Sequence, residues 1–311
     1  MLYNRLRYFI MRAAVVINRS AGTTSSGEGI KEKLEKLFCI YKIDPEIFLV
    51  EGQEVKKLIE TLIPRDFDVI VVAGGDGTLS SGAGVLAGKN IPMGIIPLGT
   101  LNHFAKDLGI PLEVENSVKV IAEGEAQKVD IGEVNGKVFI NNSSVGVYPR
   151  AVKFRDKHIE RFGTGKWMAM IIAFFAVLAR FPLFNIRLES DDNAISRRTS
   201  FVFIGNNEYK LDVFNLGKRV TLTGGKLSLY TAHIKGRLSL LKIAVLALLN
   251  RLDQMKNFDL QFVENIRLET KRKIVAVSLD GEVIHMAPPL HYKIRPMELT
   301  VILPAKGQTG K

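Results

Sequence analysis

Five residues, Gly74-Gly75-Asp76-Gly77-Thr78, limit what this chain can fold into more than any other stretch. Asp68-Val69-Ile70-Val71-Val72-Ala73 precedes them, a short β-branched apolar run that reads as a buried parallel strand. Residues 79–88 follow, small and apolar enough for a helix packed closely on a sheet. Strand, tight turn and helix together make an anion site. Glycines let backbone N–H groups approach phosphate oxygens, and the helix N-terminus adds its dipole. Asp76 is an odd residue in a phosphate cradle unless a metal ion or a hydroxyl proton needs it. The competing reading is a plain strand-to-helix turn with Asp76 as N-cap.

Around this loop the chain alternates. A strand over 13–18 leads through the Ser/Thr/Gly loop 19–29 into a helix over 30–41, with Ile30, Leu34, Leu37 and Phe38 at helical spacing. A strand over 46–50 and a helix over 55–63 come next, then the Asp76 loop with its flanking strand and helix. A strand over 93–97, the loop 98–102 and a short helix over 103–108, stopped by Gly109 and Pro111, complete the series. Such alternation means a parallel sheet with helices on both faces. It puts the loops 18–29, 74–78 and 98–102 together at the carboxyl ends of the strands, where open α/β sheets bind ligands.

After about Gly124 the pattern turns to short strands over 129–134, 138–142, 185–189, 201–206, 227–233, 260–268, 274–279, 283–286 and 291–295. Asn135-Gly136 and Asp280-Gly281 supply turn signals between them. This describes a mostly antiparallel β domain of two packed sheets, interrupted by helices over 165–181 and 238–252. The expected division is an α/β domain over 12–128, with 296–311 a candidate to return to it, and a β-sandwich domain over 129–295.

With 311 residues two domains are affordable, and a net charge of +11 asks for an anionic partner: nucleic acid, nucleotide phosphates or an acidic lipid surface. Zinc-ligand spacing, a helix-turn-helix pattern and RNA-binding aromatic motifs are all missing, which removes nucleic acid. The single Cys39 excludes an internal disulfide and fits a reducing compartment. The longest uncharged apolar run, 167–179, is too short to span a bilayer. Residues 1–10 lack the apolar core and cleavage site of a secretory signal. Met11 stands directly before the first strand, so residues 1–10 read as a frayed extension or a misassigned start.

The first loop offers Asn18, Ser20, Gly22, Thr23 and Thr24, which suit nucleotide phosphates or simply make a polar loop. No Gly-Lys-Ser/Thr follows, so it is not a Walker A motif, and no Gly-x-Gly-x-x-Gly opens the next helix. Asp280-Gly281, seen alone, reads as a type I′ hairpin turn.

Taken in order, Gly-Gly-Asp-Gly-Thr, then Pro97-Leu98-Gly99-Thr100-Leu101-Asn102-His103-Phe104-Ala105-Lys106, then Asp280-Gly281-Glu282, resemble the diacylglycerol kinase catalytic family, which includes sphingosine and ceramide kinases. The resemblance covers residues 12–304. It implies a three-layer nucleotide-binding domain like that of NAD kinases and phosphofructokinases, a β-sandwich for the lipid, and ATP in the cleft between the domains. On the matching positions it implies that Gly74, Gly75, Gly77 and Thr78 hold ATP phosphates, joined by Asn18, Ser20 and Gly22 and by Gly99, Thr100 and Asn102. Asp76 would organise Mg²⁺, with Asp130 in the same metal–water network. Asp280 would be the general base toward the lipid hydroxyl, and Glu282 would lie near the metal. Carboxylates suit that task because phosphoryl transfer needs a hard cation and an alcohol nucleophile must give up its proton.

Several positions depart from the family pattern. Arg19 stands where a proline is usual, His103 where an aspartate is usual with Asp107 four residues on, Ser80-Ser81 where Asn-Glu is common, and Thr223 at a structural-metal aspartate. Gly165 to Phe181 is framed by cations including Arg150, Lys153, Lys166 and Arg180, which suits docking on anionic lipid or, equally, a core helix. The implied protein is a cytoplasmic lipid kinase, peripheral at the inner membrane face, with ATP and lipid as partners and a homodimer within reach. The alternatives are an NAD kinase-like enzyme, which shares the Asp76 loop, and a catalytically impaired lipid- or nucleotide-binding regulator, for which His103 speaks. On sequence grounds Asp76→Ala and Asp280→Asn are expected to abolish transfer with the fold intact.

Overall fold

A computed structural model describes residues 11–20, 27–146, 184–190, 193–199, 201–211, 216–232 and 258–305. The helices expected over 165–181 and 238–252, and Gly22, lie outside these residues. The chain begins β1 (Met11–Asn18), α1 (Gly27–Ile40), β2 (Ile43–Val50), α2 (Val55–Leu62), β3 (Val69–Gly74), α3 (Asp76–Leu86) and β4 (Met93–Pro97). It continues α4 (His103–Asp107), α5 (Val114–Glu123), β5 (Glu125–Val134), β6 (Lys137–Phe139), β7 (Asn142–Gly146), β8 (Phe184–Ser190), β9 (Asn193–Thr199) and β10 (Phe201–Asn206). The remaining strands are β11 (Tyr209–Leu211), β12 (Leu216–Arg219), β13 (Leu227–Ala232), β14 (Phe258–Val263), β15 (Asn265–Thr270), β16 (Val275–Leu279), β17 (Glu282–Met286) and β18 (Leu290–Leu303).

Two compact units divide the chain: Met1–Ile131 with Arg295–Lys311, and Gly132–Ile294. In the first, β2, β1, β3 and β4 lie side by side in parallel, and the end of β18 continues the parallel run with Val301 opposite Met93. Ala13, Val15 and Ile17 of β1 pack with Leu34 and Phe38 of α1 and Val118 and Ile121 of α5. On the opposite face α2 and α3 close in through Gly82, where a Cβ would stand 2.8 Å from Val72 Cγ2 and 3.4 Å from Ile59 Cδ1. The result is three layers, helix, sheet and helix. Because β1 pairs with β2 on one side and β3 on the other, the strand order reverses at β1, which makes the β1/β3 boundary the switch point of the sheet.

The second unit is built on antiparallel pairing. One sheet runs β14-β13-β10-β7-β16-β17, while β15 joins the start of β18 on one side and β8 then β9 on the other. Val202 and Ile204, Val275 and Val277 of the first sheet meet Ile186, Leu188, Ile266 and Leu268 of the second in one buried cluster, a sandwich core. Tyr292 lies in that cluster with its hydroxyl 3.1 Å from Ser143 Oγ, and burial pushes its phenol well above the usual range.

Several elements differ from expectation. The strand expected over 260–268 is two strands, β14 and β15, parted at Glu264 and placed in different sheets. The strand expected over 138–142 breaks at Ile140-Asn141, between β6 and β7. The strand expected over 291–295 runs on to Leu303. Among the described residues no helix is long and apolar enough to cross a membrane.

Candidate functional site

In the first unit the carboxyl ends of three neighbouring strands bring three loops together. Ile17 pairs with Ala73 and Gly74 with Pro97, so Asn18, Gly75 and Leu98 leave the sheet side by side. Asn18 Nδ2 donates to Thr78 Oγ1 at 2.8 Å, tying the first loop to the second across the switch point. Asn18 Oδ1 accepts the Ser20 N–H at 3.1 Å and so shapes its own loop, while Ser20 Oγ reaches Glu51 at 3.1 Å.

The second and third loops touch backbone to backbone. A Cβ on Gly75 would lie 3.2 Å from Gly99 Cα, and one on Gly99 would lie 2.5 Å from Gly75 Cα and 2.7 Å from Asn102 Oδ1. Only glycine at both positions permits this approach. Asn102, in the left-handed region at φ 50°, folds its amide back on Gly99, accepting the Gly99 N–H at 2.9 Å and donating to the Gly99 carbonyl at 2.8 Å. Asn102 is therefore a former of the loop rather than a group aimed outward; Thr100 and Leu101 are the exposed residues there. We expect Gly99→Ala to destabilise the protein by about 1–3 kcal/mol, as overpacking against rigid backbone does, read as a lowered thermal midpoint.

Asp76 opens α3 with Gly75 as N-cap, so it is not the cap of its own helix. Its carboxylate instead caps the next one: Oδ2 accepts the His103 N–H and Oδ1 the Phe104 N–H, both at 3.1 Å. The contact at position 103 is made by the backbone, and the His103 side chain is exposed, so histidine there leaves the grip on Asp76 undisturbed. Asp130 is 1% exposed and accepts the Met297 N–H at 2.9 Å, fastening β18 where the chain re-enters this unit.

In the second unit Asp280 sits at φ 48° in the β16–β17 turn. Its carboxylate is cradled by three consecutive peptides: Oδ2 accepts the Ile140 N–H at 2.8 Å, and Oδ1 accepts the Asn141 and Asn142 N–H groups at 2.7 and 3.0 Å. The hairpin reading of Asp-Gly and the reading of a placed carboxylate thus hold together. The sequence places 140–142 in a strand over 138–142 and gives it no role at the site; the one signal there is a pair of asparagines, Asn141-Asn142. Glu282, two residues on, opens β17 and is exposed. Among the described residues no group of three or more His, Cys, Asp or Glu side chains is arranged to hold a metal ion.

In comparisons with known proteins the chain is similar to diacylglycerol kinases. The diacylglycerol kinase catalytic domain profile matches residues 12–134. A diacylglycerol kinase of Staphylococcus aureus (strain MRSA252) is 34% identical over 202 residues, 62% of this chain and 62% of that protein. That of strain Newman is 34% identical over 148 residues, 47% of this chain and 46% of the relative. The matched region thus spans less than two thirds of these relatives' length. A solved diacylglycerol kinase from Bacillus anthracis str. Sterne superposes with TM-score 0.66 at 20% identity, covering 94% of this chain and 97% of that one. A second structure from the same organism gives TM-score 0.73 at 21% identity with the same coverage. At that identity the structural likeness is one of fold: a parallel-sheet α/β unit joined to an antiparallel β unit. Over residues 12–134 the chain is similar to the diacylglycerol kinase catalytic domain.

Proposed function

We propose that the protein is an ATP- and magnesium-dependent lipid kinase that transfers the γ-phosphoryl group of ATP to a hydroxyl of a diacylglycerol-like lipid. The observation that carries this reading is the meeting of Asn18, Gly74–Thr78 and Gly99–Asn102 around one carboxylate, Asp76, at the strand ends. Glycine-lined backbone beside a carboxylate is what a triphosphate with its cation needs. The similarity of residues 12–134 to the diacylglycerol kinase catalytic domain supports the same chemistry.

In this reading Gly74, Gly75, Gly77, Thr78, Gly99 and Thr100 hold phosphate oxygens, while Asn18, Ser20 and Asn102 keep the loops in shape. Magnesium, when bound, offsets the charge on the β- and γ-phosphates. Asp76 is the residue that would hold it, for a carboxylate accepting one N–H on each oxygen keeps lone pairs to offer. Magnesium commonly takes one or two carboxylates plus phosphates and water rather than a protein cage. That habit suits a donor set with no three-ligand cluster among the described residues. Glu282 is assigned to the metal's surroundings by resemblance alone. Asp280 accepts the proton of the lipid hydroxyl as its oxygen attacks: the bond from γ-phosphorus to the ADP oxygen breaks, and a new P–O bond to the lipid forms.

Contact with an anionic membrane surface is part of the proposal. A cavity of about 550 Å³ in the second unit is lined by Arg187, Arg197, Arg198 and Lys271, with Glu269 the one acid among its lining residues. Cations near a membrane surface attract anionic lipid by about 1 kcal/mol each, less where they are already ion-paired, as Arg187 is with Glu189 and Arg197 with Asp259.

The test offers γ-labelled ATP with vesicles carrying diacylglycerol in neutral or anionic lipid, and with NAD in a separate arm. Label should pass to the lipid only with magnesium present, and faster on anionic vesicles. Label passing to NAD alone, or ATP binding with no acceptor phosphorylated, would overturn the reading.

A further inference from the structure

Behind the peptides that hold Asp280 lies a buried cation that no motif points to. Arg219, at the end of β12, is 7% exposed. Its Nη2 stands 2.7 Å from the Ile140 carbonyl oxygen, 3.1 Å from Asn141 Oδ1 and 3.1 Å from the Tyr209 hydroxyl, and the guanidinium lies 5.5 Å from the centre of the Tyr209 ring. The Ile140 carbonyl and the Asn141 N–H belong to one peptide group. That peptide receives Arg219 on its oxygen and gives its N–H to Asp280 Oδ1 at 2.7 Å. It therefore stands between a cation and a carboxylate, polarised from both ends.

The next peptide repeats the arrangement with neutral donors. The Asn141 carbonyl accepts the Tyr209 hydroxyl at 2.8 Å and the Asn206 N–H at 2.9 Å, while the Asn142 N–H goes to Asp280 Oδ1 at 3.0 Å. Asn206 Nδ2 adds a second donor to the Ile140 carbonyl at 2.9 Å. Tyr209 is in turn held by the Tyr230 hydroxyl, which donates to the Tyr209 carbonyl at 2.7 Å. Burial raises the Tyr230 phenol above its ordinary value, with hydrogen bonding to Ser228 opposing, so it remains a donor. An interruption of the sheet at 140–141 would otherwise leave these carbonyls without ladder partners.

We propose that Arg219 is a positioning residue for phosphoryl transfer: through the 140–141 peptide it fixes where the Asp280 carboxylate stands. The proposal rests on the reading of Asp280 as proton acceptor. Arginine suits the task because its guanidinium stays charged and stacks on the Tyr209 ring while Nη2 faces three oxygens, whereas lysine offers only a point charge.

The experiment measures kcat and the KM values for ATP and diacylglycerol on anionic vesicles, using the full chain, for wild type, Arg219→Lys, Arg219→Met and Asp280→Asn. Thermal melts and near-UV dichroism first give the folded fraction of each. Folded Arg219→Met should lose about 10–100-fold in kcat, the scale of a misplaced catalytic group, with KM for ATP unchanged. Arg219→Lys should recover part of that loss. A kcat within about twofold of wild type in folded Arg219→Met, with only the melting temperature lowered, would mean a purely structural role and overturn the proposal. If Arg219→Met does not fold, Arg219→Lys decides alone: reduced kcat at unchanged ATP KM supports the role, and wild-type kcat overturns it. Retained turnover in Asp280→Asn overturns both the base assignment and this inference. An inactive Asp280→Asn beside wild-type-like Arg219 variants overturns only the inference.

Discussion

Asp280→Asn is expected to lower turnover by about 10²–10⁴-fold, the range for loss of a general base, and to weaken the fold of its unit at the same time. The two effects have different origins. Proton acceptance is lost because an amide is not a base. Stability is lost because the carboxylate accepts N–H groups on both oxygens, from Ile140 on one and from Asn141 and Asn142 on the other. An asparagine that keeps its oxygen toward Asn141 and Asn142 must turn its NH₂ toward the Ile140 N–H, setting donor against donor. Leaving that buried N–H without an acceptor costs about 1–3 kcal/mol. A drop of roughly 2–4 °C per kcal/mol in the thermal midpoint is the expected readout. The backbone adds little, since Asn tolerates the left-handed φ of 48° as well as Asp does. This corrects the sequence-based expectation of an intact fold. Steady-state turnover corrected for folded fraction is the check, and activity near wild type would remove Asp280 from the chemistry.

Residue type carried much of this protein's plan, and partner identity carried almost none of it. The buried strands β1, β3 and β4 are continuous apolar runs, and the turns at Asn135-Gly136 and Asp280-Gly281 fall where their dipeptides place them. Elements with weak hydrophobic contrast were illegible. Strand β9, Asn-Ala-Ile-Ser-Arg-Arg-Thr, is an edge strand with too little apolar alternation to announce itself. Strand β2 begins at Ile43 rather than at residue 46 and takes in Pro45, which it can because β2 is the edge of its sheet, where a missing N–H is tolerated. At Glu264 the alternation of Leu260 and Phe262 passes into that of Ile266 and Leu268 with no change of period, so nothing marked the move from one sheet to the other. Helix α5 was missed although Val114, Val118 and Ile121 have helical spacing, because Glu115, Asn116 and Ser117 make its first turn polar. The site shows the same limit. Asp76 and Asp280 could be singled out by their glycine neighbours, but what they touch is backbone N–H, which every residue carries. The partners lie 27 and 28 residues downstream for Asp76 and 138 to 140 upstream for Asp280. Arg219 had no signal at all: its place comes from contacts to a backbone carbonyl, an amide oxygen and a phenol hydroxyl that only the folded β unit assembles.

Asp76 calls for a pair of substitutions, because its carboxylate has a structural duty that could pass for a catalytic one. Asp76→Ala is expected to lower turnover by at least about 10²–10³-fold, as loss of a group stabilising developing charge does. It also leaves the His103 and Phe104 N–H groups without their acceptor, loosening α4 by about 0.5–2 kcal/mol, the usual cost of removing a helix cap. Alanine alone cannot separate these effects. Asparagine can, since its oxygen keeps the part-buried Phe104 N–H and leaves only the exposed His103 N–H to water, while it carries no charge and offers magnesium only a neutral oxygen. If Asp76 serves only to hold α4, Asp76→Asn should melt near wild type and keep most of its turnover. If its charge serves the magnesium–triphosphate complex, Asp76→Asn should melt near wild type and be nearly as inactive as Asp76→Ala. The proposed function requires the second outcome. Nucleotide titrations with and without magnesium sharpen it further: the wild type should bind ATP more tightly when the metal is present, and both variants should lose that difference while the glycine loops still bind the phosphates.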